Sequence, residues 1–233
     1  MNNKAILSRA KIAFRHASPT HIMQNRMTAG RISRFAEEVG LVYFGYVNHR
    51  SDEHRLIRGH TVSQTHRDDH YAVGTVKGYD VALVSRNDAL PRHLLGRYQS
   101  LIMTLDLRTK DEIPHMYIGH ITRETTFQST YHQLHLVTLD EAAAYPASFT
   151  QNYVVYTSPS KVHEVAEILG THVADVIATH FQEASIEIDQ GVVYIYIESE
   201  HPSEVLLEKM LSNCLWLGEV IDAIHLGRKF DLN

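Results

Sequence analysis

The densest group of potential metal ligands lies between residues 49 and 70. The chain has 17 histidines in 233 residues, and imidazole and carboxylate groups suit zinc, manganese and iron. Five of these histidines share this segment with four acidic residues. The strongest candidate ligands are His60, His66, Asp68, Asp69 and His70. They indicate a metal-dependent, hydrolase-like enzyme as the alternative function, with a divalent transition metal as its cofactor.

The local geometry favours solvated loop histidines over a metal site. Two histidines four residues apart, such as His66 and His70, lie on one side of a helix, where they can share a metal ion. This segment instead has the composition of strand and turn. No cofactor is therefore expected under the preferred interpretation. An enzyme would need acid and histidine to converge in a pocket, for example at Asp52, Glu53 and His54.

Other catalytic signatures are missing from the sequence. There is no Gly-x-Ser-x-Gly turn and no Gly-rich phosphate loop. The single cysteine, Cys214, lies in the apolar stripe of a predicted helix, where burial raises the pKa of a thiol. No catalytic residue can be named, and the sequence favours a protein that is not an enzyme.

Charge is distributed unevenly along the chain. Residues 1–36 carry seven basic residues and no acid, so the remainder has a net charge of −12 within a total of −5. The leader, residues 1–17, contains Lys4, Arg9, Lys11 and Arg15 as candidates for contacting an acidic protein or an anionic surface. A solvated tail is the alternative. The tyrosines alternate with apolar residues in an acidic body, which makes nucleic acid an unlikely partner.

The first half predicts a helix followed by an antiparallel meander. Ser18-Pro19 begins the helix, and Gly40 ends it in a left-handed conformation. The strands then expected are 41–47, 55–62, 70–76, 79–85, 101–107, 116–118 and 134–138. Lys77-Gly78 has the composition of a two-residue hairpin turn.

The second half predicts an α+β unit that ends in a long helix. A strand at 153–157 precedes a helical pair that is broken at Gly170. A hairpin follows, in which Ile186 and Ile188 alternate with polar residues and Gly191 provides the turn. A helix from about Ser203 to Leu226 then repeats apolar residues at three- and four-residue steps, with Pro202 expected in its first turn.

The expected fold class is α+β, with a mainly antiparallel sheet or sheets and a long C-terminal helix packed on a hairpin. The domains expected are the leader 1–17, a helix and meander over 18–145, and an α+β unit over 146–233. One cysteine, no apolar run near the roughly 20 residues of a membrane span and no signal peptide predict a soluble, cytoplasmic protein without a transmembrane segment.

Residues 149–197 resemble a bacterial domain family of unknown function that is often attached to predicted membrane proteins. The similarity rests on Phe149 with Tyr153-Val154-Val155-Tyr156, on Ile186-Glu187-Ile188, and on Gly191-Val192-Val193-Tyr194-Ile195. It implies no chemistry. This chain differs from the family in having no membrane-spanning hairpin before the domain.

Together these patterns favour a non-enzymatic binding or assembly module that forms a homo-oligomer. A second copy is expected to pair through the sheet face that bears Tyr194 and Tyr196, or through an edge of the first-half meander.

Overall fold

The computed structural model describes most of the chain outside its two termini and several connecting segments. The residues described are 19–46, 67–88, 98–121, 134–137, 145–182, 184–199 and 201–227. The predicted leader and the predicted strand at 55–62 lie outside these ranges.

Helices and strands alternate irregularly along the described chain. The helices are α1 (Pro19–Val39), α2 (Ala147–Thr150), α3 (Val162–Leu169), α4 (Thr171–His180) and α5 (Glu204–His225), with a 3-10 turn at Pro159–Lys161 before α3. The strands are β1 (Val42–Tyr46), β2 (Arg67–Val76), β3 (Tyr79–Asp88), β4 (Tyr98–Asp106), β5 (Met116–His120), β6 (His135–Leu136), β7 (Tyr153–Thr157), β8 (Ser185–Asp189) and β9 (Val192–Glu198). The predicted mixture of helices and antiparallel sheet with a C-terminal helix is confirmed.

All nine described strands belong to one sheet in the order β1-β2-β3-β4-β9-β8-β5-β7-β6. Every neighbouring pair is antiparallel. The β8–β9 hairpin lies between β4 and β5, so strands from both sides of residue 145 share the sheet. The sequence predicted a second sheet-and-helix unit from residue 150 onward. Its strands β7, β8 and β9 share the described sheet with strands of the first half.

Helix α1 ends as its sequence predicts. Gly40 has φ +82°, and the amide of Leu41 donates to the carbonyl of Ala36 at 2.7 Å. This left-handed residue and the bond from the residue after it form a Schellman ending, which glycine accommodates without steric strain. The chain therefore turns sharply from α1 into β1.

Two hairpin turns also follow from local sequence. Lys77 and Gly78 connect β2 to β3 with φ values of 50° and 77°, and Gln190 and Gly191 connect β8 to β9 with values of 51° and 77°. Positive φ at both central residues matches the right-handed twist of the strands.

Helix α5 covers the middle of the sheet and contacts β4 and β9. The Ser203 hydroxyl caps the helix by accepting from the amide of Leu206 at 3.1 Å. Pro202 therefore precedes the cap and does not occupy the first turn. At Gly218 an added Cβ would come within 2.6 Å of the Leu105 side chain, so the helix lies close to β4.

The main core lies between the helices and one face of the sheet, here called the helix face. Its largest fully buried side chains include Phe35, Leu101, Met103, Phe149 and Phe181. The opposite face, here called the polar face, holds a smaller cluster of Ala82, Val84, Ile102, Tyr194 and Tyr196. Many charged and hydroxyl side chains lie among or beside these residues. Across the described helices, none combines the length and hydropathy needed to cross a membrane.

Candidate functional site

Of the residues predicted to bind metal, the structure describes Asp68, Asp69 and His70. His60 and His66 lie outside the described residues. Asp68 is bound by Arg86, whose Nε and Nη2 nitrogens each donate to one carboxylate oxygen at 2.7 Å. Both side chains are almost fully buried, so this bidentate ion pair is a structural link between β2 and β3.

His70 connects helix α1 to the sheet. Its Nε2 donates to Asn25 Oδ1 at 3.2 Å, and its Nδ1 accepts from the Tyr43 hydroxyl at 2.8 Å. Burial lowers the pKa of His70, partly offset by the charge of Asp69. Both ring nitrogens are engaged, so metal binding here would break two tertiary hydrogen bonds.

Tyr194 and Tyr196, predicted to contact a partner, are only 5% and 3% exposed. Their rings stack with centroids 6.2 Å apart on the polar face. Since so little of either side chain is exposed, a second copy would contact neighbouring residues of this face more than the two tyrosines themselves.

A hydrogen-bonded chain of three side chains crosses the polar face. The Tyr196 hydroxyl donates to Oε2 of Glu187 at 2.7 Å, and Nε2 of His115 lies 3.0 Å from Oε1 of the same carboxylate. Glu187 is 0% exposed. An ionised carboxylate buried to this extent requires hydrogen bonds or opposite charge, and His115 and Tyr196 are among its partners.

Negative charge accumulates around Tyr194. Burial is the largest cause that raises the pKa of Tyr194, followed by the charges of Glu187, Asp189 and Asp106. Arg86 acts in the opposite direction. The carboxylates of β4 and β8 thus create a negative field at this part of the polar face.

One set of potential metal ligands comes together in the described part of the chain, consisting of His115, Glu187 and Asp189. One ligand atom from each lies within 4.8 Å of the others. The sequence alone does not reveal this set, because Ser185, Glu187 and Asp189 alternate with isoleucines and therefore match the pattern of a strand with one solvent-exposed face. In the structure Ser185, Glu187 and Asp189 are each at most 9% exposed. The feature of the sequence that could have indicated this site is Glu187, an acidic residue between two isoleucines in the middle of a strand.

The outer edge of β1 is apolar. Val42 and Phe44 are each 58% exposed. Val42 lies opposite Val73, and the Phe44 ring is 6.0 Å from that of Tyr71. Tyr71 and Val73 pack against the cluster that contains Tyr194 and Tyr196. The four residues Val42, Phe44, Tyr71 and Val73, here called the edge strip, therefore extend the apolar part of the polar face to the end of the sheet.

A small cleft lies at the opposite end of the sheet. It has a volume of about 240 Å³ and is lined by His135, Leu136, Val137, Thr157, Pro159 and Val162. Pockets for small molecules usually exceed about 300 Å³, and this lining provides one ionisable side chain. The cleft therefore lacks the converging acid and base groups of a catalytic site.

Lys4, Arg9, Lys11 and Arg15 lie outside the described residues, so their predicted contacts stay predictions. In α1, Arg34 donates to Glu204 of α5 at 2.8 Å in an exposed pair. Part of the basic excess of residues 1–36 thus contacts an acidic residue of the same chain.

No protein-family model matches this chain, and no curated protein matches it. The resemblance of residues 149–197 to a bacterial domain family therefore stays a prediction. Among solved structures, the chain is similar to the crystal structure of the mycobacterial trehalose monomycolate transport factor A, TtfA, with a TM-score of 0.58 and 11% sequence identity. The match covers 84% of this chain and 95% of that chain. At this identity the similarity shows a shared fold.

Proposed function

We propose that the chain is a non-enzymatic assembly module in which two copies pair through the outer edges of their β1 strands. The observation that carries the proposal is the exposure of Val42 and Phe44, at 58% each, on a terminal strand. The solved structure of similar fold is described as that of a transport factor, and an accessory role for this chain is in line with that description.

The backbone of β1 supports pairing with another strand. Within the described residues, β1 pairs only with β2, so its other side presents amide and carbonyl groups. Edge strands that must stay single usually carry lysine, proline or inward-pointing charge. β1 has the sequence VYFGY and carries none of these. The register with β2 shifts between Tyr43 and Gly45, where Gly45 has φ +68°, so the regular part of the β1–β2 ladder is Val42–Tyr43 and Phe44 lies at the irregularity.

A second copy is the occupant that this edge fits best. Two β1 strands related by a twofold axis run antiparallel, as do all neighbouring strands of the described sheet. The two edge strips would then lie side by side on one face and form one continuous apolar strip. Tyr194 and Tyr196 lie further into the sheet on the same face, in the cluster against which Tyr71 and Val73 pack.

The expected association is weak. Burying the exposed parts of two valines and two phenylalanines contributes roughly 5 kcal/mol, and each of a few backbone hydrogen bonds adds about 1 kcal/mol. Lost translational and rotational freedom opposes this gain. A Kd on the order of 100 μM is therefore expected.

Sedimentation velocity from about 5 to about 500 μM spans that affinity. We expect a monomer–dimer equilibrium in the wild type and a monomer for Phe44→Asp at every concentration. Leu136→Asp is the matched control, because Leu136 is similarly exposed, at 57%, on the strand at the other end of the sheet. A wild type that stays monomeric, or a Leu136→Asp variant that dissociates as Phe44→Asp does, refutes the proposal.

Cross-linking tests the geometry separately. Cys214 is fully buried, so a cysteine introduced on β1 is the accessible thiol in the described chain. Phe44→Cys should form a disulfide-linked dimer under mild oxidation, because a twofold axis that passes between the two β1 strands at residue 44 brings the two cysteines together. Leu136→Cys should remain monomeric. Equal cross-linking of both variants would indicate random collision and contradict pairing through β1.

A further inference from the structure

Antiparallel pairing of β5 with β8 brings His115, Glu187 and Asp189 together. Tyr117 lies opposite Glu187, and Met116 lies opposite Ile188. This register places His115, which directly precedes β5, beside Asp189. Glu187 and Asp189 are two residues apart on one strand, so both side chains project from the same face. The three groups come from two backbone segments that are held in register by the sheet.

The spacing of the ligand atoms suits a divalent metal ion. His115 Nε2 and Glu187 Oε1 are 3.0 Å apart, and a ligand atom of Asp189 lies within 4.8 Å of both. Nitrogen and oxygen ligands lie about 2.0–2.2 Å from zinc, which places adjacent ligands of a tetrahedral site about 3.3–3.6 Å from each other. A metal ion would therefore replace the hydrogen bond between His115 and Glu187 and draw Asp189 closer. One imidazole with two carboxylates is a ligand set for zinc, manganese or iron.

A hydrogen bond from a neighbouring residue holds the Glu187 carboxylate in place. The Tyr196 hydroxyl donates to Glu187 Oε2 at 2.7 Å, which leaves Oε1 directed towards His115. Such outer hydrogen bonds orient the carboxylates that bind metals. The His115 side chain is 20% exposed, so solvent can reach the site from the side of its imidazole ring.

Ser185 is a further polar residue on this face of β8. Its hydroxyl is buried, and within the described residues no hydrogen-bond partner is found for it. It projects from the same face as Glu187, two residues away, which corresponds to about 7 Å along a strand.

We propose that His115, Glu187 and Asp189 form a binding site for a divalent transition-metal ion that links β5 to β8. This site differs from the predicted ligand set in residues 60–70 and does not depend on dimerisation through β1. The negative field of Glu187, Asp189 and Asp106 around Tyr194 attracts a cation to this part of the polar face. The ion would act as a structural cross-link within the sheet.

The test uses untagged full-length protein, because a histidine tag would add competing ligands. After dialysis against a chelator, the protein is titrated with Zn²⁺ by calorimetry and with Mn²⁺ by electron paramagnetic resonance. We expect one equivalent to bind, and we expect His115→Gln and Asp189→Asn each to weaken binding at least about tenfold, as loss of a ligand or its support does. His163→Gln, which removes a highly exposed imidazole, should bind as the wild type does.

Two further variants separate this site from the histidine-rich segment. His60→Gln and His66→Gln should leave the affinity unchanged. Loss of binding in these two variants with retention in His115→Gln would overturn the proposal, as would the absence of binding in the wild type. Thermal unfolding of each metal-free variant shows that it is folded, and added metal should raise the melting temperature of the wild type but not of His115→Gln.

Discussion

The hydroxyl of Tyr79, at the start of β3, donates a hydrogen bond of 2.9 Å to Oδ2 of Asp222, near the end of α5. The other carboxylate oxygen of Asp222 accepts from the backbone amides of Thr109 at 2.9 Å and Arg108 at 3.1 Å. The Arg108 guanidinium lies over the Tyr79 ring, 3.9 Å from its centroid. One buried carboxylate thus joins the C-terminal helix to the start of β3 and to the loop that follows β4.

Removing the hydroxyl of Tyr79 should destabilise the protein. We expect Tyr79→Phe to lower the free energy of unfolding by about 1–2 kcal/mol, and Asp222→Ala by about 3 kcal/mol, because the second change leaves several buried donors without an acceptor. Urea unfolding followed by circular dichroism measures both. Thr75→Val, which removes an exposed hydrogen bond to Asp80, should change stability by less than about 0.5 kcal/mol. If Tyr79→Phe is as stable as the wild type, the hydrogen bond from Tyr79 to Asp222 does not stabilise the fold.

The raised pKa of Tyr79 predicts a loss of stability at alkaline pH. Burial, followed by the hydrogen bond to Asp222 and the charge of that carboxylate, raises the pKa of Tyr79 from 10.0 to about 12. Between these values the unfolded chain has lost the proton and the folded chain keeps it. The unfolded state therefore binds fewer protons, and the free energy of unfolding falls as pH rises.

Because other tyrosines also titrate in this range, the comparison is with Tyr79→Phe. The stability advantage of the wild type over Tyr79→Phe should be complete below pH 10 and should narrow by on the order of 1 kcal/mol towards pH 12. Urea unfolding of both proteins at several pH values measures the difference. A constant difference across this range would mean that Tyr79 ionises with an ordinary pKa.

A charge on the buried side of α5 should prevent folding. Leu211 is 7% exposed and packs in the main core, whereas Val205, one turn and a half earlier on the same helix, is 72% exposed. An aspartate at position 211 would lose the packing of the leucine and bury a carboxylate, at a cost of about 4 kcal/mol or more. We expect Leu211→Asp to be unfolded by circular dichroism and Val205→Asp to unfold near the wild-type temperature. A soluble, folded Leu211→Asp protein contradicts the packing of this helix.

The ion pairs of the chain should differ in energy according to burial. Asp68→Asn leaves the buried Arg86 guanidinium without the opposite charge of this bidentate partner and should cost about 3–5 kcal/mol. Arg34→Met removes the exposed pair with Glu204 and should cost less than about 1 kcal/mol. Chemical unfolding of the two variants measures both losses in free energy of unfolding. Equal losses would contradict the prediction that the buried pair contributes more.

The local elements of the fold were predictable because short-range chemistry specifies them. Gly40 ends α1, and the turns at Lys77-Gly78 and Gln190-Gly191 need residues that accept positive φ. The apolar stripe of α5 was predicted from Leu207 to Ile224. Its members through Ile221 are buried, whereas Ile224 is 39% exposed.

The sequence pattern did not predict which polar residues are buried. Alternation of Ser185, Glu187 and Asp189 with isoleucines is typical of a strand with one solvent-exposed face. Burial of that face depends on neighbouring strands, and Glu187 is stabilised by His115, 72 residues earlier in the chain. Alternation within one strand contains no information about such a partner.

By itself, therefore, the sequence determined the types of most elements, their turns and caps, and the mixture of helices with an antiparallel sheet. Each of these depends on residues within a few positions of one another. Only the tertiary structure decided that β8 and β9 lie between β4 and β5, that β1 lies at one end of the described sheet, and that His115 meets Glu187 and Asp189. The physical reason is that backbone hydrogen bonds between strands are the same for every residue type, so strand order is selected by the packing of both faces at once.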